Sequence, residues 1–173
     1  MLQVGSPAPL FDVEAYVAGA TKHVSLAELR GKWTVLFFYP RDFTFVCPTE
    51  IRGFAAAESQ FAEVNAVIVG ASTDSAFSHQ AWFERDLPEV KFPVLTDTTH
   101  QVSRDYGVLI ESTGAALRGT FIIDPDGVLR YSVVSDLNVG RSIDETLRVV
   151  KALQTGELCG LDWKPGAEFV KKG

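Results

Sequence analysis

The chain has 173 residues, of which 46% are hydrophobic and 22% are charged, and its formal net charge is −6. This length and composition indicate one globular domain with a substantial core, and a negative charge without a basic run argues against nucleic acid or an anionic membrane surface as a partner. No apolar stretch has the length of a membrane span and residues 1–7 lack a signal-peptide pattern, so we expect a cytoplasmic location.

The N-terminal part predicts an irregular start followed by a buried strand. Pro7 and Pro9 favour an extended or looped opening segment. Ser25 and Glu28 have the spacing of a capping box, which predicts a short helix. Residues 34–39 are apolar at nearly every position, as expected of a central strand that is covered on both faces.

A cysteine follows this strand at the start of a predicted helix. The pair Cys47-Pro48 marks a helix start, because proline is tolerated in the first turn and disfavours helical geometry in the preceding residue. Unpaired N–H groups at a helix N-terminus stabilise a thiolate, which makes Cys47 a candidate nucleophile. Thr44 adds a hydroxyl to the same loop. The alternative is an inert buried cysteine, since free cysteine is among the most buried residue types.

The middle of the chain alternates between helices and strands. Ile51, Phe54, Phe61 and Val64 recur at helical spacing and predict a helix over residues 49–64. The further predicted elements are a buried strand at 66–71, a helix at 77–83, an extended segment at 92–95 and a short helix at 101–106.

The C-terminal part predicts a hairpin, a helix and an irregular arm. Strands at 120–123 and 128–133 flank the sequence Asp-Pro-Asp-Gly, a strong turn signal. Ser142 and Glu145 form a second capping-box pattern at the start of the last helix. From residue 155 onward there is no periodicity. Strands that alternate with helices and then form a hairpin predict an α/β layer fold with a mixed sheet.

The residues around Cys47 resemble the active-site loop of the typical two-cysteine peroxiredoxins, which include the bacterial alkyl hydroperoxide reductase subunit. The family pattern Pro-x-x-x-Thr-x-x-Cys is filled by Pro40, Thr44 and Cys47. Further segments that resemble the family are residues 5–9, 118–124, 136–142 and 159–166. The resemblance implies a thioredoxin-like fold over residues 1–156, with a mixed central sheet flanked by helices and peroxiredoxin-type insertions, and a C-terminal arm over residues 157–173.

The same resemblance implies roles for the site residues. Cys47 would attack the peroxide and become a sulfenic acid. Thr44 would hydrogen-bond the thiolate and the peroxide, unless its hydroxyl makes only a local turn bond. Arg118 would hold the thiolate and donate to the peroxide oxygens, and Pro40 would shield the loop. The supporting residues that match family positions are Glu50 and Arg141.

Cys159 stands where the family places its resolving cysteine. In that family it comes from the partner subunit and condenses with the sulfenic acid into an intersubunit disulfide, so the resemblance implies a homodimer or a ring of dimers. The implied substrates are hydrogen peroxide and organic hydroperoxides, and the implied electron donor is a thioredoxin-like or dedicated reductase. Gly160 departs from the family, which commonly has proline there. The alternative is that Cys159 is a buried bystander.

Two other classes of function differ in what they require of these residues. A thiol–disulfide oxidoreductase with the same fold would need a Cys-x-x-Cys pair, which the segment around Cys47 lacks. A ring-forming holdase chaperone, an activity of some family members, stays open as a secondary role. The three histidines, His23, His79 and His100, make no metal spacing with the two cysteines, so we expect solvated or satisfied side chains, no metal and no other cofactor.

Overall fold

A seven-stranded mixed sheet forms the centre of the molecule. The computed structural model describes residues 2–171, so Met1, Lys172 and Gly173, at the outer ends of the predicted domain and arm, lie outside the described residues. The strands are β1 (Asp12–Val17), β2 (Ala20–Ser25), β3 (Trp33–Phe38), β4 (Ala66–Ser72), β5 (Val94–Thr96), β6 (Leu109–Ile110), β7 (Ala115–Ala116), β8 (Arg118–Ile123) and β9 (Leu129–Ser135). The helices are α1 (Cys47–Glu63), α2 (Ala76–Asp86), α3 (Gln101–Asp105) and α4 (Ile143–Thr155).

The order of the strands in the large sheet is β2-β1-β5-β4-β3-β8-β9, and β6 pairs with β7 separately. Strands β3, β4 and β5 are parallel, as expected where helices α1 and α2 connect them. Strand β8 pairs antiparallel with β3, and β9 with β8, so β3 lies between one parallel and one antiparallel neighbour. The predicted fold class, a mixed sheet flanked by helices, is confirmed.

The sheet is covered on both faces, which explains why β3 is apolar at nearly every position. Successive side chains of a strand point to opposite faces. Val35 and Phe37 belong to the apolar cluster that contains residues of α1, α2 and α4. Leu36 and Phe38 belong to a second cluster, formed with α3 and the N-terminal segment. Packing on both faces fixes the position of the end of β3, where the loop to Cys47 begins.

The N-terminal region differs most from the sequence-based expectation. Strands β1 and β2 form a hairpin that the sequence analysis did not predict. Its two turn residues, Ala18 and Gly19, have φ angles of 48° and 92°, the geometry of a tight hairpin turn without the usual Asn-Gly signal. The short helix expected after Ser25 is a single 3₁₀ turn, Ala27–Leu29, in which the Ser25 hydroxyl accepts the Glu28 N–H at 3.3 Å.

Most other predicted elements are confirmed with shifted ends. Helix α1 begins two residues before its predicted start and α2 extends beyond both predicted ends. The hairpin of β8 and β9 turns where Gly127 donates its N–H to the Asp124 carbonyl at 2.9 Å. Ser142 caps α4 by accepting the Glu145 N–H at 3.1 Å. Residues 156–171 form neither helix nor strand. Among residues 2–171, no helix combines the length and apolarity needed to cross a bilayer.

Candidate active site

Cys47 is the first residue of α1 and is fully buried. The loop after β3 delivers it there, and Pro48 occupies the first turn, where a missing N–H costs no helical hydrogen bond. Thr49 fastens this turn by donating its hydroxyl to the Val46 carbonyl at 2.6 Å. The thiol therefore lies at the positive end of a helix of 17 residues.

Arg118 brings a guanidinium group to this thiol from the neighbouring strand. It opens β8, which pairs with β3, and its Nη1 lies 3.4 Å from the Cys47 Sγ. The same Nη1 donates to the Glu50 Oε2 at 2.6 Å, and Nε donates to the Leu137 carbonyl at 2.8 Å. The side chain is only 4% exposed, so these contacts fix its position without solvent.

Glu50 joins Arg118 to a second buried arginine. Its Oε1 accepts both the backbone N–H and the Nε of Arg141, each at 2.9 Å. Arg141 also donates to the Phe38 carbonyl at 2.6 Å and to the Gly119 carbonyl at 3.0 Å. One carboxylate in the first turn of α1 thus holds two guanidinium groups that come from distant parts of the chain.

The site carries an excess of positive charge. Burial lowers the pKa of Arg141 from its ordinary value, and the adjacent Glu50 carboxylate opposes this. Because an arginine in a protein stays protonated, Arg141 and Arg118 both keep their charges. Two guanidinium groups against one carboxylate leave one net positive charge beside the thiol. A net positive charge and a helix N-terminus are the two features that stabilise a thiolate.

Pro40 and Thr44 lie on the loop between β3 and Cys47. Pro40 is buried two residues after the end of β3, and Thr44 is half-buried. The Thr44 hydroxyl donates to the Arg41 carbonyl at 3.0 Å, a local bond within the loop. Among the hydrogen bonds of the described residues, none joins Thr44 to Cys47.

A buried polar cluster that the sequence analysis missed anchors the same loop. The Asp42 carboxylate accepts hydrogen bonds from the Tyr39 hydroxyl at 2.8 Å and from Ser78 at 2.7 Å, and lies 2.8 Å from the His79 Nδ1. Burial, reinforced by the charge of Asp42, raises the pKa of Tyr39 well above its ordinary value, so this hydroxyl remains a donor. His79 is thus a satisfied side chain, as expected. The sequence signal for this cluster was the spacing of Tyr39 and Asp42, which places a hydroxyl and a carboxylate three residues apart in one loop.

The second cysteine lies in a different environment. Cys159 follows α4, is partly exposed, and contacts the Thr155 hydroxyl and the Ala152 carbonyl of that helix. Within residues 2–171 its hydrogen-bond partners include none of the residues that contact Cys47, and both thiols are free. The same part of the chain contains no group of three or more His, Cys, Asp or Glu side chains placed to hold a metal ion.

Three comparisons place this chain among known proteins. Residues 4–132 match the family model described as the AhpC/TSA family. The chain is 52% identical over 179 aligned positions to peroxiredoxin prdx-2 of Caenorhabditis elegans, covering 98% of this chain and 89% of the relative. It is 50% identical over 173 positions to the mitochondrial thioredoxin-dependent peroxide reductase of Bos taurus, covering 95% and 67%. The reduced 2-Cys peroxiredoxin of Plasmodium vivax has a TM-score of 0.94 at 35% identity, covering 98% of this chain and 93% of that one.

The buried charge cluster leads to a prediction about stability. Glu50→Gln should lower the free energy of unfolding by about 3–5 kcal/mol, because two buried guanidinium groups lose their countercharge. The matched control is Glu89→Gln, which removes a surface pair with Arg52 (45% and 53% exposed) and should cost less than about 1 kcal/mol. Urea denaturation followed by circular dichroism measures both changes. Equal losses in the two variants would contradict the prediction.

Proposed function

This chain belongs to the AhpC/TSA family and is a peroxiredoxin, an oxidoreductase that reduces peroxides with thiols, and we propose that Cys47 is its peroxide-reactive nucleophile. The observation that carries the proposal is the approach of the Arg118 guanidinium to 3.4 Å from a thiol at the start of α1. An inert buried cysteine would have apolar neighbours instead of a cation and a helix N-terminus.

The proposed first step is attack of the Cys47 thiolate on one peroxide oxygen. A sulfur–oxygen bond forms, the oxygen–oxygen bond breaks, and the leaving oxygen takes a proton to become water or an alcohol. Cys47 becomes a sulfenic acid. Negative charge moves from sulfur to the leaving oxygen, so the fixed positive charge nearby stabilises both the reactant thiolate and the transition state. The proposed substrates are hydrogen peroxide and organic hydroperoxides.

The neighbouring side chains have separate proposed tasks. Arg118 holds the thiolate and offers N–H groups to the peroxide oxygens. Thr44 donates its hydroxyl to the thiolate or the peroxide, which requires the hydroxyl to turn away from the Arg41 carbonyl that it contacts now. Pro40 shields the loop and presents no N–H group.

Glu50 and Arg141 are proposed to support the site without touching the peroxide. Glu50 receives the short 2.6 Å contact from Arg118, so its carboxylate sets where that guanidinium lies relative to the sulfur. Arg141 binds the carbonyls of Phe38 and Gly119, one at the end of β3 and one in β8. The pair is therefore proposed to fix the position of the loop after β3 relative to Arg118.

The proposed second step uses Cys159 of the partner subunit. Its thiol attacks the sulfenic sulfur, a disulfide bond forms, the sulfur–oxygen bond breaks, and the oxygen leaves as water. Because Cys47 is fully buried, the first turn of α1 has to open for this step. The division into a domain (residues 1–156) and an arm (residues 157–173) is proposed on the same ground, since the arm carries the resolving thiol.

The proposed assembly is a homodimer, which could close into a ring of dimers. Strand β9 is an edge of the sheet, and Val133 and Val134 on it are 41% and 46% exposed. An edge strand with exposed apolar side chains suits pairing with a second copy. A thioredoxin-like or dedicated reductase is the proposed electron donor, in line with the name of the bovine relative. Two free thiols suit the reducing cytoplasm.

Cys47→Ser is expected to reduce peroxide consumption by at least about a thousandfold, because a serine hydroxyl is similar in size but is not ionised at neutral pH. Peroxide loss is measured with a reductase system, and circular dichroism checks that the fold is intact. Turnover near the wild-type rate would remove Cys47 from the mechanism. Suppression of aggregation by a ring would not need this thiol, so the same variant separates a secondary chaperone activity from the peroxidase.

Cys159→Ser should still consume about one equivalent of peroxide, because attack needs only Cys47. It should not form the covalent dimer that oxidised wild-type protein shows on a non-reducing gel. Mass spectrometry of the oxidised wild type identifies the bond between Cys47 of one chain and Cys159 of the other. A wild-type protein that stays monomeric on that gel would contradict intersubunit resolution.

A further inference from the structure

The chain turns back after the end of α4, so that Cys159 contacts the last turn of this helix. Thr155 is the last residue of α4, and Gly156 follows with a φ angle of 68°, a left-handed conformation that ends the helix. The Cys159 Sγ then lies 3.5 Å from the Thr155 Oγ1 and 3.8 Å from the Ala152 carbonyl oxygen. The thiol therefore faces two oxygen atoms at the C-terminal end of the helix.

The hydrogen bonds of the Thr155 hydroxyl determine which atom donates to which. This hydroxyl has one proton and two lone pairs. Its proton goes to the Ala152 carbonyl at 2.7 Å, and one lone pair accepts the Glu157 N–H at 3.1 Å. Only a lone pair is left for Cys159, so the S–H group is the donor in this contact, and the Ala152 carbonyl oxygen is the more distant of its two acceptors. A thiolate could not donate and would face two oxygen acceptors.

The helix itself favours the same protonation state. The C-terminal end of an α-helix carries partial negative charge from carbonyl groups without helical partners. A thiolate at this end of α4 would be repelled, whereas the N-terminal end of α1 attracts the thiolate of Cys47. Cys47 thus lies at the N-terminal end of one helix, and Cys159 lies against the C-terminal end of another.

Contacts further along the arm keep Cys159 in this place. The Val170 N–H donates to the Leu158 carbonyl at 2.8 Å, which brings the two ends of the arm together. Arg148 of α4 donates to the Trp163 carbonyl at 2.9 Å. A Cβ at Gly160 would lie 3.3 Å from the Val170 side chain, so glycine at this position lets the arm fold closely.

We propose that Thr155 is a positioning residue whose hydroxyl oxygen accepts the Cys159 S–H and holds this thiol in a closed arm, so that release of the contact is a step of disulfide formation. The proposal rests on the proposed function for the role of Cys159. In that reaction the thiol proton leaves with the sulfenic oxygen as water, while the sulfenic sulfur is reduced and the Cys159 sulfur is oxidised. The closed arm thereby slows resolution and protects the resolving thiol from other reagents.

The contact is tested in a chain that has one thiol. Cys47→Ser leaves Cys159 as the only cysteine, so infrared absorption of the S–H stretch and alkylation by iodoacetamide report on it alone. In this background Thr155→Val should raise the alkylation rate roughly three- to tenfold, the range expected for loss of one ordinary hydrogen bond. It should also shift the S–H stretch to higher wavenumber, because the thiol loses the nearer of its two oxygen acceptors and keeps only the Ala152 carbonyl at 3.8 Å.

Two variants separate this contact from a general loosening of α4. Thr155→Ser keeps the hydroxyl and should keep the wild-type alkylation rate and S–H stretch. Thr146→Val removes a different hydroxyl of α4, which is buried and donates to the Ser142 carbonyl at 2.8 Å, and should change neither. Unchanged values in Thr155→Val, or equal changes in either control, would overturn the proposal.

The same substitution is then measured with Cys47 present. Thr155→Val should speed disulfide formation severalfold after a single addition of peroxide and leave the rate of sulfenic acid formation unchanged. Disulfide formation at the wild-type rate would overturn the kinetic part of the proposal. The infrared and alkylation measurements need no peroxide, so a failure of the peroxidase assignment would leave them interpretable and would be detected separately by Cys47→Ser.

Discussion

One buried carboxylate that neutralises one of two buried guanidinium groups is the interaction on which the rest of the site depends. Taking charges out of water is costly, and the cost is offset only when every donor finds an acceptor. Besides Glu50, the main-chain carbonyls of Phe38, Gly119 and Leu137 supply acceptors for these donors. These carbonyls belong to β3, to β8 and to the loop after β9. The charge cluster therefore exists only when those three parts of the fold are in register.

This arrangement also suits the proposed role of Cys47, whose sulfur would have to leave its buried position for disulfide formation without disrupting the charge cluster. Arg118 binds the Glu50 carboxylate at 2.6 Å but approaches the Cys47 sulfur only to 3.4 Å, a contact suited to a weaker bond. Cys47 precedes Glu50 by nearly one helical turn. In the proposed second step, residues 47–49 can therefore unwind while Glu50, at the end of this turn, keeps its carboxylate between the two arginines, and rewinding them returns the sulfur to the same cation.

The sequence allowed Cys47 to be placed at the start of a helix, whereas most of the surrounding geometry depends on contacts between distant residues. Cys47 at a helix start followed from the proline after it, and β3 as a central strand followed from its apolar run. Arg118 is an isolated charge at the start of an apolar strand, which local pattern alone assigns to solvent. Its burial depends on Glu50, which lies 68 positions away in the chain. The β1–β2 hairpin was missed because Ala18, and not Asn or Asp, precedes the glycine of its turn.

The surroundings of the two thiols differ because Cys47 lies at the N-terminal end of α1, whereas Cys159 lies against the C-terminal end of α4. Cys47 meets N–H groups and a guanidinium at the start of α1, whereas Cys159 meets carbonyl oxygen and a hydroxyl lone pair at the end of α4. A thiolate is the nucleophilic form of a cysteine, and it is favoured beside N–H groups and a cation and disfavoured beside oxygen acceptors. These two surroundings agree with the proposed order of steps, in which Cys47 reacts first in its folded position and Cys159 reacts after it leaves the end of α4.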